Sequence, residues 1–355
     1  MSDSRRYPIL KPAAWLYRFV VQVRNACFDK NLSSSWQAPL PVISIGNITA
    51  GGTGKTPLAQ WIINYYISIG ERPALLSRGY GRSTKGVLLV SDGYGLLCGS
   101  REAGDETAML AAKNPGIIVV AAEKRREGAA FIAERFSDRM PSVIVLDDAF
   151  QHRQIARNLD IVVVNAAEAY FDAAMLPEGR LREPLKNLRR ADIAVLTKIT
   201  DKNAADSIAE DLKLRGLPVV QARTEAGGLI PFRAGTLPET LSGCRIFAFA
   251  GIGAPARFIG NLEEMGARVE ARRFFRDHEP YSKEKLVPVL EEARRMGLVP
   301  VTTEKDYYRM LDEPWFAELS TRYPLHFLEI SVAFIEGQRL LEQMLKTALR
   351  SSKQQ

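Results

Sequence analysis

The segment from Ser44 to Thr56 reads SIGNITAGGTGKT, an apolar run that passes through a glycine-rich turn and closes on Lys55 and Thr56. Glycines let successive backbone N–H groups converge on phosphate oxygens, a lysine at position 55 reaches the outer phosphates, and the Thr56 hydroxyl can ligate Mg²⁺ at the positive end of the following helix. This is the spacing of a nucleotide phosphate loop, with Thr49 standing where the strict pattern asks for glycine. A second segment, VIVLDD at 143–148, is an apolar strand that ends in two acids, and it brings Asp147 and Asp148 to the metal region beside the same phosphates. Capping of the following turn accounts for one of the pair, not both.

A guanine-nucleotide switch is the competing class, and it makes two demands. It needs N/T-K-x-D after a late strand, whereas Thr197-Lys198-Ile199-Thr200-Asp201 brings the acid one residue late; it also needs D-x-x-G, whereas Asp148 is followed three positions on by Gln151. A nucleotide-dependent enzyme is therefore the first reading, and a GTPase-like P-loop switch or metallochaperone regulator is the alternative. The basic run Lys124-Arg125-Arg126 reads as a solvated helix face. Its place just after a strand ending near Ala121 also makes Lys124 and Arg125 candidate ligands for an anionic substrate.

These residues need a frame that gathers strand ends. From Pro41 onward, apolar runs at Val42–Ile45, Ala74–Ser77, Ile117–Ala121, Val143–Leu146, Ile161–Val164 and Ile193–Thr197 read as buried parallel strands. Helical patterns at Pro57–Ile69, Glu123–Phe136 and Ala204–Arg215 lie between them, giving βα units and an α/β, P-loop NTPase-like doubly wound sheet. Gly, Pro and Thr-rich sequence at 227–240 reads as a linker. A second, smaller α/β domain follows, with strands at Ile246–Phe249 and Val299–Thr302, helices at Ala256–Met265 and Lys283–Met296, and a last helix from about Ile335. The expected division is 1–28, 29–226, the linker 227–240, and 241–355. In the first of these segments, Trp15, Leu16, Phe19, Val20 and Val23 recur at helical spacing after Pro12. That stripe suits either the protein's own core or, with Lys11 and Arg24 flanking it, a membrane surface.

The 355 residues, 46% of them apolar, suffice for two cores, and 48 Lys plus Arg against 41 Asp plus Glu give a net charge of +7, which suits an anionic partner. Cys27, Cys98 and Cys244 are too widely spaced for a C-x-x-C site, so neither zinc nor a disulfide framework is expected. No run reaches the roughly 18–20 apolar residues that span a bilayer. Lys11, Arg18 and Arg24 also interrupt what could be read as a secretory signal.

The motifs GNITAGGTGKTP, SRGYGR, GDE, LDDAFQHR, LREP, DHEPY and TTEKD lie between Pro41 and Asp306, and through them the chain resembles the tetraacyldisaccharide 4'-kinases. It departs from that family at Thr107, where GDEP is common, and at Ala149-Phe150, where DDGLQHR is common; neither change removes a charged group. The resemblance implies ATP-dependent transfer of the γ-phosphate to the 4'-hydroxyl of a tetraacylated glucosamine disaccharide 1-phosphate, a lipid A precursor. It implies a peripheral protein at the cytoplasmic face of a bacterial inner membrane. The acylated disaccharide and an anionic membrane surface are its partners, nucleic acid is not, and oligomeric state is left open.

Carried onto this sequence, the resemblance assigns ATP to Thr49, Ala50, Gly51, Gly52, Thr53, Gly54, Lys55 and Thr56, with Arg182 and Glu183 near the nucleotide. Mg²⁺ falls among Thr56, Glu106, Asp147, Asp148 and Gln151. Asp105 becomes the candidate base, His278 the group that tunes it, and Arg78 with Tyr80 the lipid-sugar side. Read without the resemblance, Asp105 is by default a helix N-cap after Gly104, and His278 is equally a surface histidine beside Asp277.

Overall fold

Short β-branched runs pair at the centre of one sheet, and every residue of the two runs that precede the phosphate loop and the paired acids is buried, as parallel strands covered on both faces must be. A computed structural model describes residues 8–168, 170–171, 174–232, 241–277 and 279–350. Its strands are β1 (Val42–Gly46), β2 (Pro73–Ser77), β3 (Leu88–Asp92), β4 (Ile118–Ala121), β5 (Val143–Leu146), β6 (Leu159–Asn165), β7 (Ile193–Thr197), β8 (Val219–Pro231), β9 (Arg245–Ala250), β10 (Arg268–Phe274), β11 (Val299–Thr303) and β12 (His326–Glu336). The helices are α1 (Lys11–Asp29), α2 (Lys55–Ser68), α3 (Ser100–Ala103), α4 (Asp105–Lys113), α5 (Arg125–Arg135), α6 (Lys202–Leu214), α7 (Pro255–Glu264), α8 (Lys283–Met296), α9 (Glu304–Leu311), α10 (Phe316–Arg322) and α11 (Gln338–Arg350).

Among the described residues the sheet has 12 strands in the order β10-β9-β11-β12-β8-β7-β6-β1-β5-β2-β4-β3. All pairs are parallel except β3 with β4 and β8 with β12. β1 lies between β5 and β6, with Ile43 opposite both Val145 and Leu159, so the chain leaves β1 and β5 at one sheet edge, side by side. Placing the phosphate loop and the acids at the carboxyl ends of adjacent parallel strands is what gives an open α/β sheet its ligand crevice.

The two α/β series share this one sheet. Residues 227–231, expected in a linker, extend β8, which pairs along its length with β12 from Pro231 opposite His326 to Gln221 opposite Glu336. The rest of the expected linker, 233–240, lies outside the described residues. The last helix starts at Gln338 and not near Ile335, because β12 runs to Glu336 and Gly337 turns the chain at φ +85°. It then returns to the first half: Leu341 and Leu345 share a core with Ile43 and Ile45 of β1 and Ile62 and Tyr66 of α2. Phe247, Phe249, Leu290, Met310 and Phe316 form a separate core under β9 and β11.

Among the described residues no helix is long and apolar enough to cross a membrane. On α1 the residues turned inward are Ala14, Val21 and Asn25, whereas Trp15 is 68% and Phe19 52% exposed, with Leu16, Val20 and Val23 also exposed. The apolar stripe therefore does not pack on the protein's own core.

Gly46 fixes how closely β1 approaches the turn after β5. A Cβ there would meet the Phe150 backbone nitrogen and lie 2.6 Å from the Phe150 Cβ. Because backbone cannot yield as a flexible side chain does, Gly46→Ala should cost about 1–3 kcal/mol, read as a lower urea midpoint at unchanged slope. An unchanged midpoint refutes the packing argument.

Candidate active site

Between β1 and α2 the chain makes a loop closed by Gly54, which occupies the N-cap position of α2 at φ +87°, a conformation that L side chains resist. The loop is supported from inside and behind. Asn47 Nδ2 donates to Thr49 O (2.8 Å) and Thr53 Oγ1 (3.1 Å), and Gln151 Nε2 donates to Asn47 O (2.8 Å). From the end of β7, Thr197 Oγ1 donates to Thr53 O at 2.7 Å and Lys198 Nζ donates to Gly52 O. Arg180 lies so close to Gly51 that a Cβ would strike its guanidinium. The Thr197-Lys198 pair, which invited comparison with a guanine motif, is thus a buttress, and Asp201 caps α6 by accepting from the N–H groups of Asn203 (2.9 Å) and Ala204 (3.4 Å).

The paired acids have different surroundings. Asp147 is buried, its Oδ1 has no hydrogen-bond partner, and burial, then Glu106 and Asp148, push its pKa up to about 7 despite Lys55 and Arg125. Asp148 sits at φ +48° and pairs with Lys55 Nζ at 3.4 Å, while both its oxygens accept from Arg182 Nη1 at 3.1 Å. Burial opposes its charge, but Lys55 and Arg182 outweigh burial and hold the carboxyl below its ordinary range. Glu106 completes the group, accepting from Thr56 Oγ1 at 3.2 Å. A partnerless buried carboxylate oxygen, two further carboxylates and a hydroxyl form a donor set of hard oxygens that fits Mg²⁺. Among the described residues no group of three or more His, Cys, Asp or Glu is placed to hold a metal ion; Mg²⁺ is ordinarily bound through one or two carboxylates together with phosphate and water.

Asp105 opens α4. The N-cap position belongs to Gly104, at φ +87°, and no side chain caps the helix; the Asp105 carboxylate instead pairs with Arg309 of α9 at 2.9 Å. This overturns the capping role for Asp105. Gly104 is needed because a Cβ would lie 2.6 Å from Tyr80 O, so the SRGYGR loop rests on this turn with Arg78 and Tyr80 exposed beside it. Lys305 of α9 reaches Glu106 at 3.4 Å. His278 lies outside the described residues.

Two expectations change. Glu183 is fully buried, and its carboxylate accepts from Asn25 Nδ2 (2.9 Å) and Asn187 Nδ2 (2.7 Å) and pairs with Arg24 (3.3 Å) and Arg190 (2.9 Å). It anchors α1, and its neighbour Arg182 reaches Asp148. Arg125 is buried too, donating to Ala122 O (2.6 Å) and Asp147 O (3.0 Å), with burial lowering its pKa to about 10; it braces the acidic turn and is not presented to a substrate. Lys124 is exposed and bonds Glu127 at 2.8 Å. Sequence reasoning gave no site role to Lys198, Arg180, Lys305 or Arg309. Lys305 carried a local signal through TTEKD, and Lys198 one, of another kind, through its likeness to a guanine motif.

The family model described as tetraacyldisaccharide-1-P 4'-kinase matches residues 6–350. A relative from Chlorobium limicola named tetraacyldisaccharide 4'-kinase is 64% identical over 344 residues, covering 97% of this chain and 98% of its own. A relative of the same name from Chlorobium luteolum is 52% identical over 354 residues, covering 99% and 100%. A solved structure described as LpxK from Aquifex aeolicus in complex with ATP superposes with a TM-score of 0.77 at 29% identity, covering 96% of this chain and 98% of that one.

Removing the Glu183 carboxylate leaves Arg24, Asn25, Asn187 and Arg190 without their shared acceptor. Glu183→Ala should therefore cost about 3–5 kcal/mol in urea unfolding, and should expose α1 to limited proteolysis while ATP affinity is unchanged. Lost ATP affinity with α1 still protected would return Glu183 to the nucleotide site.

Proposed function

The chain belongs to the tetraacyldisaccharide-1-P 4'-kinase family, ATP-dependent phosphotransferases with an alcohol acceptor, and on that premise we propose how its own residues divide the reaction. The γ-phosphate of ATP passes to the 4'-hydroxyl of the acylated disaccharide, a lipid A precursor. Backbone N–H groups from Thr49 to Thr56 hold the phosphates, and Lys55, drawn toward them from Asp148, balances charge on the group in transfer. Thr56, Glu106, Asp147 and Asp148 would hold Mg²⁺, which supplies charge neutralisation on the phosphates, while Gln151 and Arg182 keep the loop and Asp148 in place.

Asp105 accepts the proton of the attacking hydroxyl. The observation that carries this reading is the Thr56–Glu106 hydrogen bond at 3.2 Å, which ties the first turn of α4, and with it Asp105, to the metal end of the phosphate loop. In-line attack with a loose transition state needs proton removal only late, so a positioned carboxylate suffices. His278, from the half of the chain that begins at 241, orients or tunes it, and Arg78, Tyr80 and Lys124 face the lipid-sugar side. The P-loop half, 29–226, and the later half act as two bodies that close over the acceptor and exclude water.

The exposed face of α1 supports peripheral attachment at the cytoplasmic face of a bacterial inner membrane. Trp15, Leu16, Phe19, Val20 and Val23 present an apolar strip, flanked by Lys11 and Arg24, of the kind that seats at an anionic lipid interface.

Steady-state assays with MgATP and the acylated disaccharide test the chemistry. Lys55→Ala should abolish turnover in a folded protein, and Asp105→Ala should lower it about 10²–10⁴-fold with ATP binding retained. Near-normal turnover by Asp105→Ala removes it as the proton acceptor. Flotation with anionic vesicles tests α1: the double variant Trp15→Glu, Phe19→Glu should stay behind while the parent chain floats, and equal flotation overturns the attachment.

A further inference from the structure

Arg309 of α9 reaches the Asp105 carboxylate across 204 residues of sequence. Its Nε and Nη2 both fall on Asp105 Oδ2, at 3.1 and 2.9 Å. Its other edge is fixed: Nη1 lies 3.0 Å from Asp306 Oδ1, 3.4 Å from Gly251 O and 3.5 Å from Glu279 O. Asp306 is held in turn, accepting from Gly251 N at 3.0 Å and bonded to Thr303 Oγ1 at 2.7 Å, and it is fully buried. The guanidinium is therefore a planar fork clamped from behind by a buried acid and two loop carbonyls, with its free edge turned to Asp105.

We propose that Arg309 is a positioning residue for the Asp105 carboxylate, supplied by the later half of the chain to the P-loop half. The inference rests on the reading of Asp105 as proton acceptor. The Nε hydrogen bond and the Nη2 ion-pair contact on Oδ2 limit how the carboxylate can turn, and a displacement of about 1 Å at a reacting group can cost on the order of 10² in rate. A lysine could supply the charge but not the planar fork that spans Asp105 and Asp306. The same guanidinium touches the carbonyl of Glu279, the residue after His278, so one side chain holds both the carboxylate and the segment from which its proposed partner comes. Two parallel pairs keep α4 and α9 in register around it, Lys305 with Glu106 and Lys113 with Glu304.

The test is a cycle of Arg309→Ala, Arg309→Lys, Asp105→Ala and the Arg309→Ala, Asp105→Ala double variant. Each is assayed in the full chain for kcat, for KM of ATP and acceptor, and for thermal unfolding. Arg309→Ala should lower kcat by about 10–10²-fold with KM for ATP unchanged, and Arg309→Lys should recover only part of it. Millimolar guanidinium should partly restore turnover to Arg309→Ala and not to Asp105→Ala. With Asp105 already removed, the loss of Arg309 should add little, because the two act as one unit. Multiplicative losses, absence of rescue, or a defect confined to KM or to unfolding temperature would make Arg309 a structural tie and overturn the proposal. If Arg309→Ala fails to fold, Arg309→Lys carries the same cycle. A defective Asp105→Ala beside a normal Arg309→Ala sinks the positioning role alone, whereas a normal Asp105→Ala sinks the reading beneath it.

Discussion

Three carboxylates, Glu106, Asp147 and Asp148, meet at the carboxyl edge of a sheet whose interior is dry, and most of the site can be understood as the means of keeping them there. Burial alone would drive such acids to take up protons, as it does for Asp147. The charge is held by cations drawn from different parts of the fold. Lys55 comes from the start of α2, Arg182 from the segment after β6, Arg125 from the start of α5, and Lys305 from α9. Even the strained backbone of Asp148 belongs to this arrangement, since a residue at φ +48° persists only where its surroundings over-determine it, here through two cations on one carboxylate.

How much of this could be read from the sequence depended on whether a residue's role was local. β1 and β5 were legible because strands buried on both faces are continuous apolar runs, and the phosphate loop because glycines and Lys-Thr sit within one turn. β10 was not, since its exposed edge reads RVEARRF, with few apolar positions to signal a strand. β8 and β12 were hidden for another reason: their pairing joins residues about a hundred apart, and the Gly227-Gly228 pair that resembles a linker lies within a strand. Arg125 and Glu183 misled in the same way. A basic run and an L-R-E-P motif suggest solvent and ligand, but burial with carbonyl or amide partners is decided by tertiary contacts that no neighbour in sequence foretells. The contact of Asp105 with Arg309 is the extreme case, because each partner's local sequence is compatible with an ordinary first-turn acid and an ordinary surface arginine.

The single sheet also bears on how the two halves can move. The long antiparallel ribbon of β8 and β12 couples them by backbone hydrogen bonds, and the α4–α9 ion pairs couple them again at the site. Of the two, the ribbon is the more continuous joint, because its many backbone bonds run the length of both strands.

The return of α11 to the core of β1 and α2 has a consequence for biosynthesis. Its buried Leu341 and Leu345 complete the apolar face against Ile43, Ile45 and Tyr66, yet these leucines are translated after every strand of the sheet. At roughly 5–20 residues per second, the ribosome reaches them tens of seconds after β1 has been made. Through that interval the part of the sheet face that α11 will cover stays exposed beside α2, and the nucleotide-binding half is completed only when the last helix has been made.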